Sequence, residues 1–327
     1  MAHRSILILP EDSDRPIAAA IHAAKQSLKI KMFLFFDPQL VDAVIAAKKR
    51  GTRVQVMLNA SRRNGEHEND ATRKVLETAG VEVKDGNPAF GLTHEKSMIV
   101  DDRWAFIQSM NWDTKNLTQT RDYAIITSHR DEITELAGCF DADWARQKFE
   151  PAGDSNLIWC PGNGRQRIAC FIDQAKHSLV VQNERFQDPV IIERLVRAAL
   201  RGVKIHIMTK APHTLKTQKL LEGVSGLRLL DDVGIKIHKV SHLHGKMLLA
   251  DHARAVIGSI NLAPGSFDDR RELAIEVSDE AIVNRLEKTA RHDWRNSCTM
   301  DLTDHGLLSD LKDRAETFGP GPTFPLL

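Results

Sequence analysis

The sequence predicts an α/β protein made of two copies of one domain, and three observations predict it. The string HEKSMIVD, His94 to Asp101, recurs as HGKMLLAD, His244 to Asp251, both reading His-x-Lys-x4-Asp. The recurrence extends past both strings. Leu9-Pro10 aligns with Cys160-Pro161, Lys25 with Lys176, Ser27 with Ser178, Asp37-Pro38 with Asp188-Pro189 and Arg50-Gly51 with Arg201-Gly202. These matches lie at an offset of 151, which becomes 150 at the second motif. In each copy, apolar runs of strand length alternate with segments of helical spacing, the pattern of a sheet sandwiched by helices. A unit of roughly 150 residues is domain-sized, which separates this duplication from a solenoid of short repeats. The expected boundaries are 1–150 for the first half, 151–298 for the second and 299–327 for a C-terminal tail.

In chain order, Ile30 to Phe36 is an apolar, aromatic run expected as a strand, with Leu179 to Gln182 as its partner. For Met32 to Phe36 a buried central strand is preferred over the lining of a lipid pocket. Helices follow each Asp-Pro, with apolar residues at Leu40, Val41, Val44 and Ile45, and at Ile191, Ile192, Leu195, Val196 and Ala199. That spacing buries one face of each. Both end in Arg-Gly, a basic last turn followed by the glycine that a left-handed cap favours. Strands are expected at Val54–Leu58 and Val203–Met208, then at Ser97–Val100 and Met247–Ala250, which the motif lysines open. Trp104–Ile107 and Ala255–Ile257 each lead into a Ser-x-Asn turn. On a strand, His and Lys two residues apart project from one face, which is the physical reason for the residue between them. The chain end, GPGPTFPLL, reads as an extended tail after a terminal helix.

Composition excludes several classes. With 42% hydrophobic residues in 327, the chain can bury two cores or one continuous core across a duplicated interface. A net charge of +1 gives no global field toward nucleic acid or an anionic membrane. No run of 18 apolar residues exists, and the start MAHRSILILPEDSDRP has too short an apolar core for a secretory signal. The cytoplasm follows by elimination, with membrane contact peripheral at most. Cys139, Cys160, Cys170 and Cys298 show neither CxxC spacing nor framework density, so buried reduced thiols are expected. The basic residues Lys48, Lys49, Arg50, Arg53, Arg62, Arg63 and Arg73 fall on a helix end and a polar loop, and read as solvated surface before a nucleic-acid footprint.

Each motif carries a matched tail. Asp101 is followed by Gln108-Ser109-Met110-Asn111 and Asp251 by Gly258-Ser259-Ile260-Asn261, then come Arg121-Asp122 and Arg271-Glu272. With both strings laid out, the chain closely resembles the phospholipase D superfamily from about Ile6 to Arg295, nearest its small bacterial two-motif members of the cardiolipin and phosphatidylserine synthase kind. The resemblance implies a duplicated phospholipase D-like domain, a pseudo-two-fold α/β/α sandwich with mixed central sheets and one active site at the seam. It also implies phosphodiester cleavage through a covalent phosphohistidine, without metal or other cofactor. Gln108 departs from the family pattern, which has Gly before the motif serine. Glycine there lets backbone approach the phosphate, whereas a glutamine narrows the pocket, adds an amide contact or points away.

The residues suit that chemistry on their own terms. Lys96 and Lys246 can stabilise the charge that spreads over phosphoryl oxygens in the transition state. The amides of Asn111 and Asn261 and the hydroxyls of Ser109 and Ser259 add directional donors to phosphate. One neutral imidazole can attack while a second, protonated one protonates the leaving alkoxide, so a single site needs both His94 and His244. By resemblance His94 is the nucleophile and His244 the acid, then base. The resemblance also makes Asp122 and Glu272 the acids that orient the imidazoles, and Asp101 and Asp251 structural ligands of nearby backbone and side chains. Arg121 and Arg271 are expected as structural pairs for their neighbours. His242 and His244 lack a carboxylate or cysteine at ligand spacing, so no metal is expected. The expected partner is a phosphodiester substrate, phospholipid before nucleic acid, hydrolysed or transferred. The alternative is a nuclease or soluble-diester phosphodiesterase.

Overall fold

The computed structural model describes residues 3–61, 65–210 and 217–307. The Arg62–Arg63 pair and the GPGPTFPLL end lie outside the described residues. The first half runs β1 (Arg4–Leu9), α1 (Arg15–Ala23), β2 (Ser27–Met32), α2 (Pro38–Lys49), β3 (Arg53–Leu58), α3 (Asp70–Thr78), β4 (Glu82–Asp85), β5 (Leu92–Thr93), β6 (Ser97–Val100), β7 (Trp104–Gln108), α4 (Thr114–Thr118), β8 (Asp122–Thr127) and α5 (Arg130–Trp144). The second half repeats the plan as β9 (Leu157–Cys160), α6 (Gly164–Asp173), β10 (Ser178–Gln182), α7 (Pro189–Leu200), β11 (Lys204–Thr209), α8 (Thr217–Asp232) and β12 (Lys236–Lys239). It closes with β13 (Lys246–Ala250), β14 (Arg254–Gly258), α9 (Pro264–Asp268), β15 (Arg270–Val277), α10 (Glu280–Arg295) and β16 (Cys298–Thr299).

Each half is a mixed sheet. The first orders its strands β1-β8-β7-β6-β2-β3-β4, with β2, β3 and β4 parallel and the rest antiparallel. The second runs β16-β12-β11-β10-β13-β14-β15, with β9 also on β15. Helix starts follow local chemistry. Asp37 Oδ1 accepts from the amides of Gln39 and Leu40, Asp188 Oδ1 accepts from that of Ile191, and proline sits at the start of both helices. Both helices end before a glycine at positive φ, Gly51 at 93° and Gly202 at 87°.

Three cores result. One lies under α1, α2 and α3, a second under α6 and α7, and a third is shared. The shared core joins Ile107, Tyr123 and Leu136 of the first half to Met247, Ile257 and Leu286 of the second. The two halves are therefore one folded body with outer helices, two sheets and a common interior.

Three expectations change. The strand expected over Ile30–Phe36 ends at Met32, because the backbone of Phe33 and Phe35 turns to the side chain of Asn69, and the amides of Phe36 and Asp37 turn to the carbonyl of Trp112. The second half runs past residue 298, since β16 pairs with β12 and Met300 and Leu302 enter its core. Cys139 and Cys160 are buried thiols, but Cys170 and Cys298 are exposed.

Behind the first motif lies a buried ionic cluster. Lys31 Nζ donates to Glu95 at 2.9 Å and to Asp143 at 2.8 Å, with all three side chains sealed from solvent. Burial alone would lower the Lys31 pKa, but Asp143, Cys139 and Glu95 together raise it. At the matching places the second half has Gln182 and Gly245. The lysine is thus the counter-ion that Glu95 requires. Lys31→Gln should cost about 3–5 kcal/mol by leaving buried carboxylates uncompensated. Adding Glu95→Gln should recover much of that in urea unfolding. A double variant no more stable than Lys31→Gln would show that the two residues are not coupled.

Candidate active site

Two crossed links across the seam build the site. Leu92 and Thr93 of β5 pair in parallel with Arg270 and Arg271 of β15, and Leu243 bridges Arg121 in the same sense. The carbonyl of Arg271 accepts from the amides of His94 and Glu95, while that of Arg121 accepts from His244 and Gly245. Each motif histidine is therefore held by backbone of the opposite half.

The acids following those arginines complete the crossing. His94 Nδ1 lies 2.8 Å from Glu272 Oε2, and His244 Nδ1 lies 2.9 Å from Asp122 Oδ1. A carboxylate on Nδ1 fixes the proton there and leaves Nε2 of each ring for chemistry. The environments differ. Burial, then Lys96, Arg270, Lys246 and His244, hold His94 well below the ordinary histidine range, so it is neutral. Burial would raise Asp122, but His244, Lys246 and the Ser109 hydroxyl keep it below the usual carboxylate range. Glu272 is raised by burial in spite of Arg270 and Lys96.

Both motif lysines are buried and fold back onto the carbonyl two residues earlier, Lys96 Nζ on His94 at 2.7 Å and Lys246 Nζ on His244 at 2.5 Å. Burial and the neighbouring Lys246 push Lys96 down to about 7. Asp101 accepts from the amides of Lys25, Gln26 and Ser27, and Asp251 from those of Lys176, His177 and Ser178. They fasten the start of β2 and of β10 and stand apart from the imidazoles.

The serines are not placed as expected. Ser109 Oγ donates to Asp122 at 2.6 Å and accepts from the Tyr123 amide. Ser259 Oγ bonds both the amide and the carbonyl of Leu273. Both are fully buried, Ser109 on Asp122 and Ser259 on the β15 backbone next to Glu272, and neither hydroxyl is turned to a phosphate. Asn111 donates to Asn116 at 2.9 Å, while Oδ1 of Asn111 and of Asn261 is buried with no hydrogen-bond partner among the described residues. Gln108 turns to Trp112, accepting from its indole at 3.1 Å. Its counterpart Gly258 admits no side chain, since a Cβ would lie 2.2 Å from the Leu273 carbonyl.

Arg121 and Arg271 are structural ion pairs, as expected, and each reaches across the seam. Arg121 binds Asp293 of α10 and Glu11, and Arg271 binds Asp143 of α5. His242 is exposed and its carbonyl accepts from Arg121. Glu95, Cys139 and Asp143 offer donor atoms close enough together for a cation, but Lys31 Nζ lies among them.

Sequence reasoning missed several neighbours. Phe33 packs edge-on against His94 at 4.7 Å, lies 5.1 Å from Lys96 Nζ and joins Leu34 and Leu92 in a small apolar cluster apart from the cores. Glu184 bonds Lys246 at 3.1 Å and Lys210 at 2.5 Å. Thr120 donates to Asp122 at 2.5 Å, and Arg270 is coupled to His94 and Glu272. The signal was available in the repeat itself, because these are positions where the aligned halves disagree.

A duplicated sandwich with paired imidazoles and lysines at the seam is the arrangement of the phospholipase D superfamily. The chain belongs to the family described as cardiolipin synthase, PLD-like domain, which matches residues 17–144 and 168–294. It is 25% identical over 280 residues to a polyphosphate kinase of Vibrio parahaemolyticus, covering 80% of this chain but 39% of the relative. It therefore spans about two fifths of the length of the first such relatives. It is 23% identical over 325 residues to cardiolipin synthase B of Salmonella typhimurium, covering 85% of this chain and 77% of that one. The fold is similar to that of phosphatidylserine synthase from Haemophilus influenzae, with TM-score 0.74, 13% identity and coverage of 97% and 95%. Among the described residues no helix is long and apolar enough to cross a membrane.

Lys96 generates a test. It carries its charge below about pH 7 and loses it above, so its grip on an anionic diester weakens as pH rises through that value. KM should rise across that window, and Lys96→Arg, whose guanidinium keeps its proton, should flatten the rise. A wild-type KM that stays constant from about pH 6 to about pH 9 would show that Lys96 does not titrate in the free site.

Proposed function

We propose that this chain hydrolyses or transfers a phosphodiester through a covalent phosphohistidine without metal, and that its substrate is a phospholipid. The observation that carries the reading is the crossed pair of Nδ1–carboxylate bonds, which leaves Nε2 of a neutral His94 and Nε2 of His244 for one phosphorus. His94 Nε2 attacks, the P–N bond forms, and the P–O bond to the leaving alcohol breaks as His244 Nε2–H gives that oxygen its proton. His244, now neutral, takes the proton of water or an acceptor alcohol as that oxygen attacks phosphorus and the P–N bond breaks. Lys96 and Lys246 stabilise the phosphoryl oxygens. Ser109 steadies Asp122 from behind.

A lipid is favoured over nucleic acid by three features. Phe33, Leu34 and Leu92 give the His94 side an apolar wall, and Phe36 beyond it is 43% exposed. Tyr123, the single tyrosine, is fully buried and offers no base a stacking face. Three described arginines of the candidate footprint are engaged elsewhere: Arg53 with Glu82, Arg73 with Glu77 and Asp85, and Arg50 with helix carbonyls. Phospholipid is also what the names of the cardiolipin and phosphatidylserine synthases point to.

Turnover of a bis-nitrophenyl phosphodiester should survive excess EDTA, and phospholipid vesicles should be cleaved in preference to single- or double-stranded DNA. Loss with chelator and rescue by one divalent ion would overturn the metal-free step, and DNA cleavage alone would establish the nuclease reading. His94→Ala should abolish any adduct. His244→Ala should still form one with a nitrophenyl diester, which needs no proton, and lose roughly 10²–10⁴-fold in turnover. Intact-mass analysis should place that adduct on the peptide holding His94. An adduct on His244 would reverse the two roles.

A further inference from the structure

The two halves disagree where the site most needs them to match. At the offset of 151, Phe33 corresponds to Glu184 and Asn59 to Lys210. Phe33 follows β2 and Glu184 follows β10, so both stand at the same strand end beside a motif. Phe33 presents an apolar ring to His94 and Lys96. Glu184 presents a carboxylate whose two oxygens bridge Lys246 and Lys210, with only 16% of its side chain exposed. No motif and no step described so far uses it.

The charges around the two imidazoles differ as a result. His94 is bonded to Glu272, and is opposed by Lys96 ahead of β6, by Arg270 opening β15, and across the seam by Lys246 and His244. His244 faces Asp122 opening β8, Asp113 capping α4 and Glu184 after β10, against Lys246 on β13 and His94. A proton on His244 therefore lies among three carboxylates, one on each of three elements. A proton on His94 lies beside an apolar ring and among ammonium and guanidinium groups. Burial would raise Glu184, but Lys246, Lys210 and His244 hold it well below the usual carboxylate range, so it is ionised. Without it, Lys246 beside His244, and Lys210 behind it, would lose the carboxylate that offsets them.

We propose that Glu184 is the positioning residue that makes His244 the proton carrier, so that the Phe33/Glu184 exchange divides the labour between two otherwise equivalent histidines. The proposal rests on the phosphohistidine reading above. Glu184 touches neither phosphorus nor the leaving group and acts through Lys246 and His244.

Glu184→Gln keeps shape and removes charge. A carboxylate at such range moves an opposed group by about 1–3 pKa units, so the high-pH limb of kcat should fall by roughly 1 unit. An alkyl diester, whose leaving group needs the proton, should lose roughly 10-fold more rate than a nitrophenyl diester. Glu184→Asp should restore both readouts in large part. The reverse change, Phe33→Glu, places a carboxylate beside His94 and should move the low-pH limb upward, which gives a second reading should Glu184→Gln fold poorly. Equal loss on both diesters with unmoved limbs in Glu184→Gln and in Phe33→Glu would make Glu184 a merely structural ion pair and overturn the proposal, leaving the phosphohistidine reading intact. Absence of any histidine adduct in the wild-type enzyme would instead remove that reading, and the proposal with it.

Discussion

Two dipeptides, Arg121-Asp122 and Arg271-Glu272, hold this molecule together where it works. Each makes three contacts with the opposite half. The arginine side chain binds an aspartate on that half's last helix, the arginine carbonyl accepts the motif backbone, and the following acid takes the motif imidazole. No contact of this set is internal to one copy. Separating the halves would take an aspartate from each arginine, an imidazole from each acid and the acceptor from four amides, each loss costing on the order of 1–3 kcal/mol or more. The site and the interface are thus the same structure, and the duplicated halves cannot drift apart without disassembling both imidazoles.

That constraint explains why some parts were legible in the sequence. The motifs, their flanking strands, the helix caps and the Asp101 and Asp251 anchors rest on local chemistry that the repeat displays twice. A capping Asp before Pro reads the same wherever the halves sit. The pairing of Glu272 with His94 did not show, because 178 residues separate them and only the crossing of the halves brings them together. The serines misled for a related reason. Their position after β7 and β14 is local, but what they face is the acid strand beside them, β8 or β15, and their hydroxyls are within reach of that strand before any substrate. The run Met32–Phe36 misled because apolar composition does not say where a strand stops. Asn69 supplies that information from another element.

Departures from the repeat carry as much meaning as the matches. Gln108 in place of glycine is a consequence of Trp112, whose buried indole needs an acceptor, and the second half has Leu262 there and needs none. Lys31 in place of glutamine follows from Glu95 in place of glycine. In both cases one polar change in the first half is balanced by a second within hydrogen-bond reach, as buried polar groups require.

The same logic, applied to the two acids, yields their chemistry. Asp122 receives hydroxyl donors from Ser109 and Thr120 besides His244, all of which favour its ionised form. Glu272 has an arginine near it, Arg270, where Asp122 has Thr120, yet burial still raises it. A carboxylate kept firmly charged stabilises the imidazolium that a general acid must be. A carboxyl less committed to its charge, on an imidazole already kept neutral by burial and by neighbouring cations, orients a nucleophile without drawing a proton onto it. When matched titratable groups are driven apart by their surroundings, the direction of the divergence assigns acid and base. Here Asp122 is lowered and Glu272 raised beside a His94 held well below the ordinary histidine range, which is the direction that the proposed roles of attacking His94 and proton-carrying His244 require.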